Sequence, residues 1–404
     1  MKFAHLSDLH IGSWRDPKMR DVSMEVFLKA IDMCVEENVE FILFAGDLFN
    51  TALPAVDKLA IVAGKLKEVK DKNIPIYVIP GSHDFSASGK TMIDVLESAG
   101  LFRNVCKGDV IDKKLRLRFT LDVKTGAKIT GMLGKKGMLD RIFYEDLDRE
   151  HLEKEEGYKI FMFHTALSEL KPKELEQMEA QPVSLLPKGF DYYAGGHVHH
   201  KMEFSSESHK KVTQPGALFP NNFAELEKYG HGGFFIVEND RVEWIAVKVK
   251  ERIALHIVCD GKSPEEITEA AIREIDQSNV LNALVTMRFE GTVRSGKVSD
   301  IRFKDIFAHA YYKGAYYALK NTAALKSEEF EEIKVQNESI EDIEDMLIRE
   351  HIRQVSVEVM DSEREVELTK ALISALAADR KDGETVRDFE ERIKKEAMQL
   401  LEVE

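Results

Sequence analysis

The chain has 404 residues, of which 44% are hydrophobic, and carries a formal net charge of −15. That length exceeds what one hydrophobic core usually organises, so a packed globular protein of two or more domains is expected. The charge excludes a protein that grips nucleic acid with its whole surface, and apolar runs as short as residues 41–45 and 161–163 exclude a transmembrane helix.

The first residues, 1–6, read as a strand running into Ser7-Asp8, without the charged and apolar regions of a signal peptide, so a cytoplasmic location is expected. Residues 22–37 place Val22, Val26, Phe27, Ala30, Ile31, Cys34 and Val35 at helical spacing. A buried strand follows at 41–45, and residues 55–72 and 76–79 repeat the helix and the strand. Apolar stretches at 160–163, 192–194 and 234–237 continue a sheet, and a hairpin around Asn239-Asp240 closes the unit. This alternation is the pattern of a layered α/β domain, placed at residues 1–250.

A small α/β module is placed at 251–335. It opens on the strand 253–259, and Ser263-Pro264-Glu265-Glu266 supplies an N-cap, a first-turn proline and acidic residues to a helix running to about Asp276. A strand at 283–289 and a helix at 306–319 complete it. It has no catalytic residue set and reads as a cap. The region 336–404 is expected to be helical. The chain is strongly acidic over 327–345, and helical segments at 363–377 and 384–401 flank Lys381-Asp382-Gly383. Val386, Phe389, Ile393, Ala397, Leu400 and Leu401 fall on one apolar stripe, which must pack on the protein itself or dock a partner.

Three cysteines, Cys34, Cys106 and Cys259, lie far apart and read as buried small hydrophobes. Local basic segments stand at 103–118, Lys135-Lys136 and His209-Lys210-Lys211, as nucleic-acid contacts or ordinary solvated faces.

Five segments carry chemistry: Ser7-Asp8-Leu9-His10, Gly46-Asp47-Leu48, Gly81-Ser82-His83-Asp84, His164, and Gly195-Gly196-His197-Val198-His199. Each follows a predicted strand, so each belongs at a strand's carboxyl end, where open α/β sheets bind ligands. In Asp8-x-His10 and His197-x-His199, the alternation of an extended segment would turn both side chains to one side. Carboxylate and imidazole together suit Mn²⁺, Fe²⁺ or Zn²⁺ and suit Ca²⁺ poorly, and Asp47 has two oxygens with which to bridge two ions. His5 shares a strand face with Phe3 and Ser7 and reads as a buried, hydrogen-bonded residue. His200, His209 and His231 read as solvated surface within reach of a phosphate.

The ordered set D-x-H, G-D, G-x-H-D, H and G-H-x-H across residues 8–199 resembles the calcineurin-like metallophosphoesterase superfamily. Within it the chain is similar to double-strand-break-repair nucleases of the SbcD and meiotic-recombination-eleven type. That likeness rests on the stretches 3–12, 44–49 and 190–199 and on Pro215-Gly216-Ala217. It implies a layered β-sandwich domain flanked by helices, with the cap and C-terminal helices beyond it.

The resemblance also implies two Mn²⁺ per subunit, with Fe²⁺ or Zn²⁺ as alternatives. One ion would be held by Asp8, His10, Asp47 and His199, the other by Asp47, position 82, His164 and His197. His83 becomes the non-ligand catalytic histidine. Ser82 stands where the family carries asparagine and is a poorer donor, and Asn50 stands where relatives carry a histidine that orients substrate. The implied activity is DNA cleavage in double-strand-break repair, as double-strand exonuclease and single-strand endonuclease at the nucleoid. The implied partners are DNA, a second copy of the chain paired through residues 55–72 and 91–99, and an ABC ATPase of the SMC-like coiled-coil type docked on the C-terminal helices. Two rival readings stand beside it. One is a nucleotide or small-molecule phosphodiesterase; the other is a DNA-tethering subunit with a site weakened at Ser82.

Overall fold

A computed structural model describes residues 1–85, 91–135, 139–171, 175, 177–327, 362–376, 378 and 386–401. The acidic stretch after residue 327, Lys136 and Lys381-Asp382-Gly383 lie outside them. The chain divides into two compact units, Met1–Ser327 and Glu328–Glu404.

In chain order the strands are β1 (Lys2–Leu6), β2 (Phe41–Ala45), β3 (Ile76–Ile79), β4 (Arg103–Asn104), β5 (Gly108–Ile111), β6 (Lys114–Leu117), β7 (Thr120–Leu121), β8 (Lys128–Gly131), β9 (Lys159–His164), β10 (Tyr192–Gly196), β11 (Met202–Phe204), β12 (Val212–Gln214), β13 (Gly232–Glu238), β14 (Arg241–Val247), β15 (Arg252–Val258), β16 (Leu284–Val293) and β17 (Tyr317–Ser327). One six-stranded sheet runs β14-β13-β1-β2-β3-β4 and a second runs β11-β12-β10-β9-β8-β7. Their middles are parallel, β1 to β4 in the first and β8, β9, β10 and β12 in the second.

Side-chain alternation along a strand explains how the two sheets stack. Phe3, Phe41, Leu43, Tyr77 and Ile79 of the first sheet share a buried core with Ile129, Ile160, Met162, Tyr192 and Ala194 of the second. The intervening residues Ala4, Leu6, Ile42, Phe44 and Val78 point the other way, into a core with Val26, Phe27, Ile31, Val62 and Leu66 from the helices Pro17–Glu36 and Val56–Asp71. Strands buried on both faces need continuous apolar runs such as Phe41-Ile42-Leu43-Phe44-Ala45, which is why the sequence shows runs there and not alternation. The outcome is the expected layered sandwich flanked by helices.

The first helix begins earlier than its periodicity suggested, because Asp16 caps it by accepting from the Lys18 N–H at 2.8 Å and Pro17 occupies the first turn. The hairpin at Asn239-Asp240 joins β13 and β14 as expected.

The three-stranded sheet β15-β16-β17 is all parallel, with its own core of Ile257, Ile267, Ile275, Met287, Phe289 and Ile306, and belongs to the same compact unit as the two larger sheets. Ser263 and Glu266 form the reciprocal cap on the helix Pro264–Gln277. The helix expected over 306–319 is corrected: it runs Phe303–Tyr312, and β17 then begins at Tyr317. Gly314 at φ 88 ends the helix, and Tyr317 pairs with Leu284 of β16, a long-range contact that local periodicity does not register. Arg288 of β16 pairs with Glu227 at 2.5 Å, which ties this sheet to the short helix Phe223–Tyr229.

In the second unit the helices Ser362–Leu376 and Val386–Leu400 pack against one another. Phe389, Ile393, Ala397 and Leu400 are half-buried as the stripe predicts, whereas Leu401 is exposed. Among the described residues no helix is long and apolar enough to cross a membrane.

Candidate metal centre

The five sequence segments meet at one edge of the sandwich, beyond the carboxyl ends of β1, β2, β3, β9 and β10. The backbone there is not extended, which corrects the reading of Asp8-x-His10 and His197-x-His199. Asp8, His10, Asp47 and His197 have φ of 51°, 41°, 53° and 92°. Left-handed backbone at residues other than glycine costs about 1–3 kcal/mol each and persists where surrounding bonds demand it. Here the Asp8 N–H donates to the Gly46 carbonyl at 3.2 Å and the His10 N–H to the Asp47 carbonyl at 3.0 Å, so the two loops are laced side by side. The turns, and not strand alternation, bring each pair inward.

The side chains converge closely. His10 Nε2 lies 3.1 Å from His199 Nε2, 3.9 Å from Asp8 Oδ1 and 3.5 Å from Asp47 Oδ2. His199 Nε2 is 3.8 Å from Asp8 Oδ1, and His164 Nε2 lies 3.1 Å from the same Asp47 Oδ2. Among the described residues three donor groups result: Asp8, His10 and His199; His10, Asp47 and His83; Asp8, Asp47 and His164. His197 stands next to this set, its ring centre 5.2 Å from that of His164, and its N–H donates to both oxygens of Asp8 at 3.0 Å. Ser82 Oγ donates to Asp47 Oδ2 at 3.4 Å.

Backbone and carboxylate acceptors orient the rings. His164 Nδ1 faces the Ala45 carbonyl at 2.8 Å, His83 Nδ1 the Asn50 carbonyl at 2.9 Å, and His199 Nδ1 the Glu225 Oε1 at 3.0 Å. Each contact engages Nδ1, so Nε2 is the nitrogen left to meet a cation when the ring is neutral. His164 Nε2 is buried with the Asp47 carboxylate at 3.1 Å as its close polar neighbour, and His10 Nδ1 is buried without a hydrogen-bond partner. The Nε2 atoms of His10, His164 and His199, each within 4 Å of the Asp8 or Asp47 carboxylate, fit a divalent cation, and the residues present match that donor chemistry.

The charges are strongly coupled. Burial pulls His10 down to about 3, more than the Asp47 charge restores. Burial and the neighbouring His164 bring His197 down to about 4. Burial also opposes charge on His164, yet the Asp47 carboxylate outweighs it and holds that ring up at about 10. The Asp47 carboxyl is held well below the usual carboxylate range: burial works against this, but His164 and His10 prevail.

Two glycines make the close approach workable. A Cβ on Gly46 would stand 2.2 Å from His164 Nδ1, and one on Gly196 would stand 2.2 Å from the Ala45 carbonyl.

Asp84 stood in the sequence segment Gly81-Ser82-His83-Asp84 without an assigned role, and Glu225 escaped the sequence reading. Asp84 accepts from the N–H groups of Gly81 at 2.8 Å, Asp47 at 3.0 Å and Phe49 at 3.3 Å, pinning the loops after β2 and β3 together. Burial and the Asp47 charge push its carboxyl up to about 7 even so. Glu225 holds His199 and also accepts from the Asn221 N–H at 2.8 Å. Its only sequence signal is the Asn222-x-x-Glu225 spacing of a helix cap. Glu225→Gln is expected to weaken divalent-metal affinity about 10–100-fold by freeing the His199 ring. Calorimetric Mn²⁺ titration checks this, and unchanged affinity would remove Glu225 from the centre.

The other histidines divide. His5 is buried between Tyr192 Oη at 2.9 Å and the Gly195 carbonyl at 3.0 Å, as its strand face suggested. His209 is not solvated surface: it is buried and faces the Leu186 carbonyl at 3.1 Å, because the turn at 206–209 folds it under the second sheet. His200 and His231 are half-buried. Asn50 contributes its backbone carbonyl to His83. Of the basic segments, Lys107, Arg116, Arg118 and Lys211 each face a carboxylate.

Residues 1–201 match the family described as calcineurin-like phosphoesterase. The chain is 23% identical to the DNA double-strand break repair protein Mre11 of Archaeoglobus fulgidus, over 84% of this chain and 77% of that protein. It is 30% identical to the protein of the same name from Methanopyrus kandleri, over 68% of this chain and 62% of the relative. With that of Sulfolobus acidocaldarius the identity is 25%, over 85% of this chain and 89% of the relative.

Proposed function

The chain belongs to the calcineurin-like phosphoesterases through residues 1–201, and on that footing we propose that it is a Mn²⁺-dependent DNA nuclease subunit of double-strand-break repair. It would cleave as a double-strand exonuclease and a single-strand endonuclease. The observation that carries this is Asp47 Oδ2, set 3.5 Å from His10 and 3.1 Å from His164, so that one carboxylate serves donors on both sides. In this reading Asp8, His10, Asp47 and His199 hold one ion, and Asp47, Ser82, His164 and His197 the other. Divalent ions bound there would supply Lewis acidity toward a phosphodiester. His83, oriented by the Asn50 carbonyl, presents Nε2 to stabilise a phosphate oxygen or to protonate the leaving oxygen.

The net charge of −15 requires DNA contact to be local and favours a partner that supplies basic surface, here an SMC-like ATPase docked on the C-terminal helices. Exposed Val56, Ile61 and Val95 on the helices Val56–Asp71 and Met92–Ser98 favour pairing of two copies there, and the cap shapes access to the centre.

The deciding experiment measures Mn²⁺ bound per chain by equilibrium dialysis, beside cleavage of linear double-stranded and circular single-stranded DNA, for the wild type and Ser82→Asn. Two ions with DNA cleavage support the reading, and Ser82→Asn is expected to tighten the second ion about tenfold, the carboxamide reaching further than the hydroxyl. Hydrolysis confined to nucleotides or model diesters would replace it with a small-molecule phosphodiesterase. One ion, no hydrolysis and rescue by asparagine would make the chain a tethering subunit.

A further inference from the structure

Beside the metal centre lies a cleft of about 270 Å³ whose lining includes His199 and Glu225 together with Lys201, Tyr229, His231 and Trp244. Its walls are aromatic and fixed in place. Trp244 Nε1 donates to the Pro215 carbonyl at 3.0 Å, and the His231 ring centre lies 5.9 Å from that of Trp244 at 33°. The Tyr229 hydroxyl sits 3.0 Å from the His200 ring nitrogens. Lys201 Nζ lies 5.5 Å from the Trp244 ring centre and 3.7 Å from Glu203.

We propose that this cleft takes the unpaired nucleobase of the nucleotide next to the phosphodiester held at the metal centre, an assignment that rests on the phosphodiesterase reading above. His199 belongs to both places, so a phosphate at the centre leaves its flanking nucleoside at the mouth of the cleft. Tryptophan, tyrosine and histidine walls suit a flat π-ligand, and Lys201 at the rim adds cation–π attraction and a phosphate partner. A bare phosphate would meet the Glu225 carboxylate in the lining, which disfavours it. Recognition by aromatic faces is indifferent to base identity, as a nuclease without sequence preference requires, and it selects a base that has left its duplex stack.

The test uses the 404-residue chain, which has two tryptophans, Trp14 and Trp244. In the metal-free protein, deoxyadenosine 5′-monophosphate is expected to quench tryptophan emission and to bind roughly tenfold more tightly than 2-deoxyribose 5-phosphate, as one base–aromatic contact supplies. W244F should abolish the quench while leaving the Trp14 emission. Equal binding of the two probes, or a quench that survives in W244F, overturns the proposal. In parallel, Mn²⁺-supported cleavage is compared for an oligonucleotide and its counterpart with a tetrahydrofuran abasic residue beside the scissile bond. The wild type should prefer the intact strand about tenfold, and W244L and H231A should each lose most of that preference. Cleavage without base preference overturns the cleft alone. A normal fluorescence response without any cleavage supports the cleft and overturns the nuclease reading alone.

Discussion

Asp47→Asn is expected to lower kcat/KM for DNA cleavage by about 10³-fold or more and to reduce bound Mn²⁺ from two per chain to one or none. The argument is one of charge at constant shape. Asp47 Oδ1 accepts the His83 N–H at 2.7 Å, and an asparagine oxygen can keep that bond, so the loop after β3 should stay in place. The other oxygen cannot be replaced in kind, because it stands between His164 at 3.1 Å and His10 at 3.5 Å. A carboxamide there either offers a neutral oxygen or turns an NH₂ group toward nitrogens whose lone pairs should face a cation. Both donor groups therefore weaken at once, unlike the result of removing a ligand that serves only one ion. Equilibrium dialysis and cleavage assays read the effect, and the melting temperature verifies that the variant is folded. Cleavage within tenfold of wild type with two ions bound would mean that Asp47 does not bridge.

His83→Gln separates chemistry from binding. If the ring acts on the phosphate without holding an ion, kcat falls about 10²–10⁴-fold while KM and bound Mn²⁺ stay where they were. Geometry alone allows another role, since His83, His10 and Asp47 form one of the donor groups. Loss of one ion in the variant would make His83 a ligand and end its assignment as the catalytic histidine. The Asn50 carbonyl that orients the ring belongs to the backbone, so Asn50→His should preserve the orientation and report only what a second imidazole adds toward substrate.

Much of the centre was legible because its donors are tied to local features. An apolar run that ends in Gly46-Asp47, or in Gly195-Gly196-His197, announces a strand, a tight exit and a polar group at the exit, all within a few residues. Asp84 was named with its segment but its role was not legible, and Glu225 was not legible as part of the site. Asp84 acts on the backbone of two loops, one of them more than thirty residues away, as its bond to the Asp47 N–H shows. Glu225 reads locally as a helix cap, and only the fold carries it to His199. The helix Phe303–Tyr312 was drawn too long for a similar reason: the apolar residues after Gly314 satisfy a helical period, but pairing with β16 converts them to strand. His209 looked like surface because its neighbours Lys210 and Lys211 are charged, yet the turn beneath β12 buries it.

The sequence by itself determined the class of chemistry, since aspartate and histidine at successive strand ends leave few alternatives to a metal centre. It also determined the layering, because strands without alternation must be covered on both faces. Only the tertiary structure decided which donors face one another. Asp8 and His197 are 189 residues apart and meet through one backbone N–H, in turns whose left-handed φ no short-range pattern encodes. Distances of 3 to 4 Å among imidazoles and carboxylates depend on how two separately built sheets stack and how their loops lace, and that is set by contacts across the whole domain.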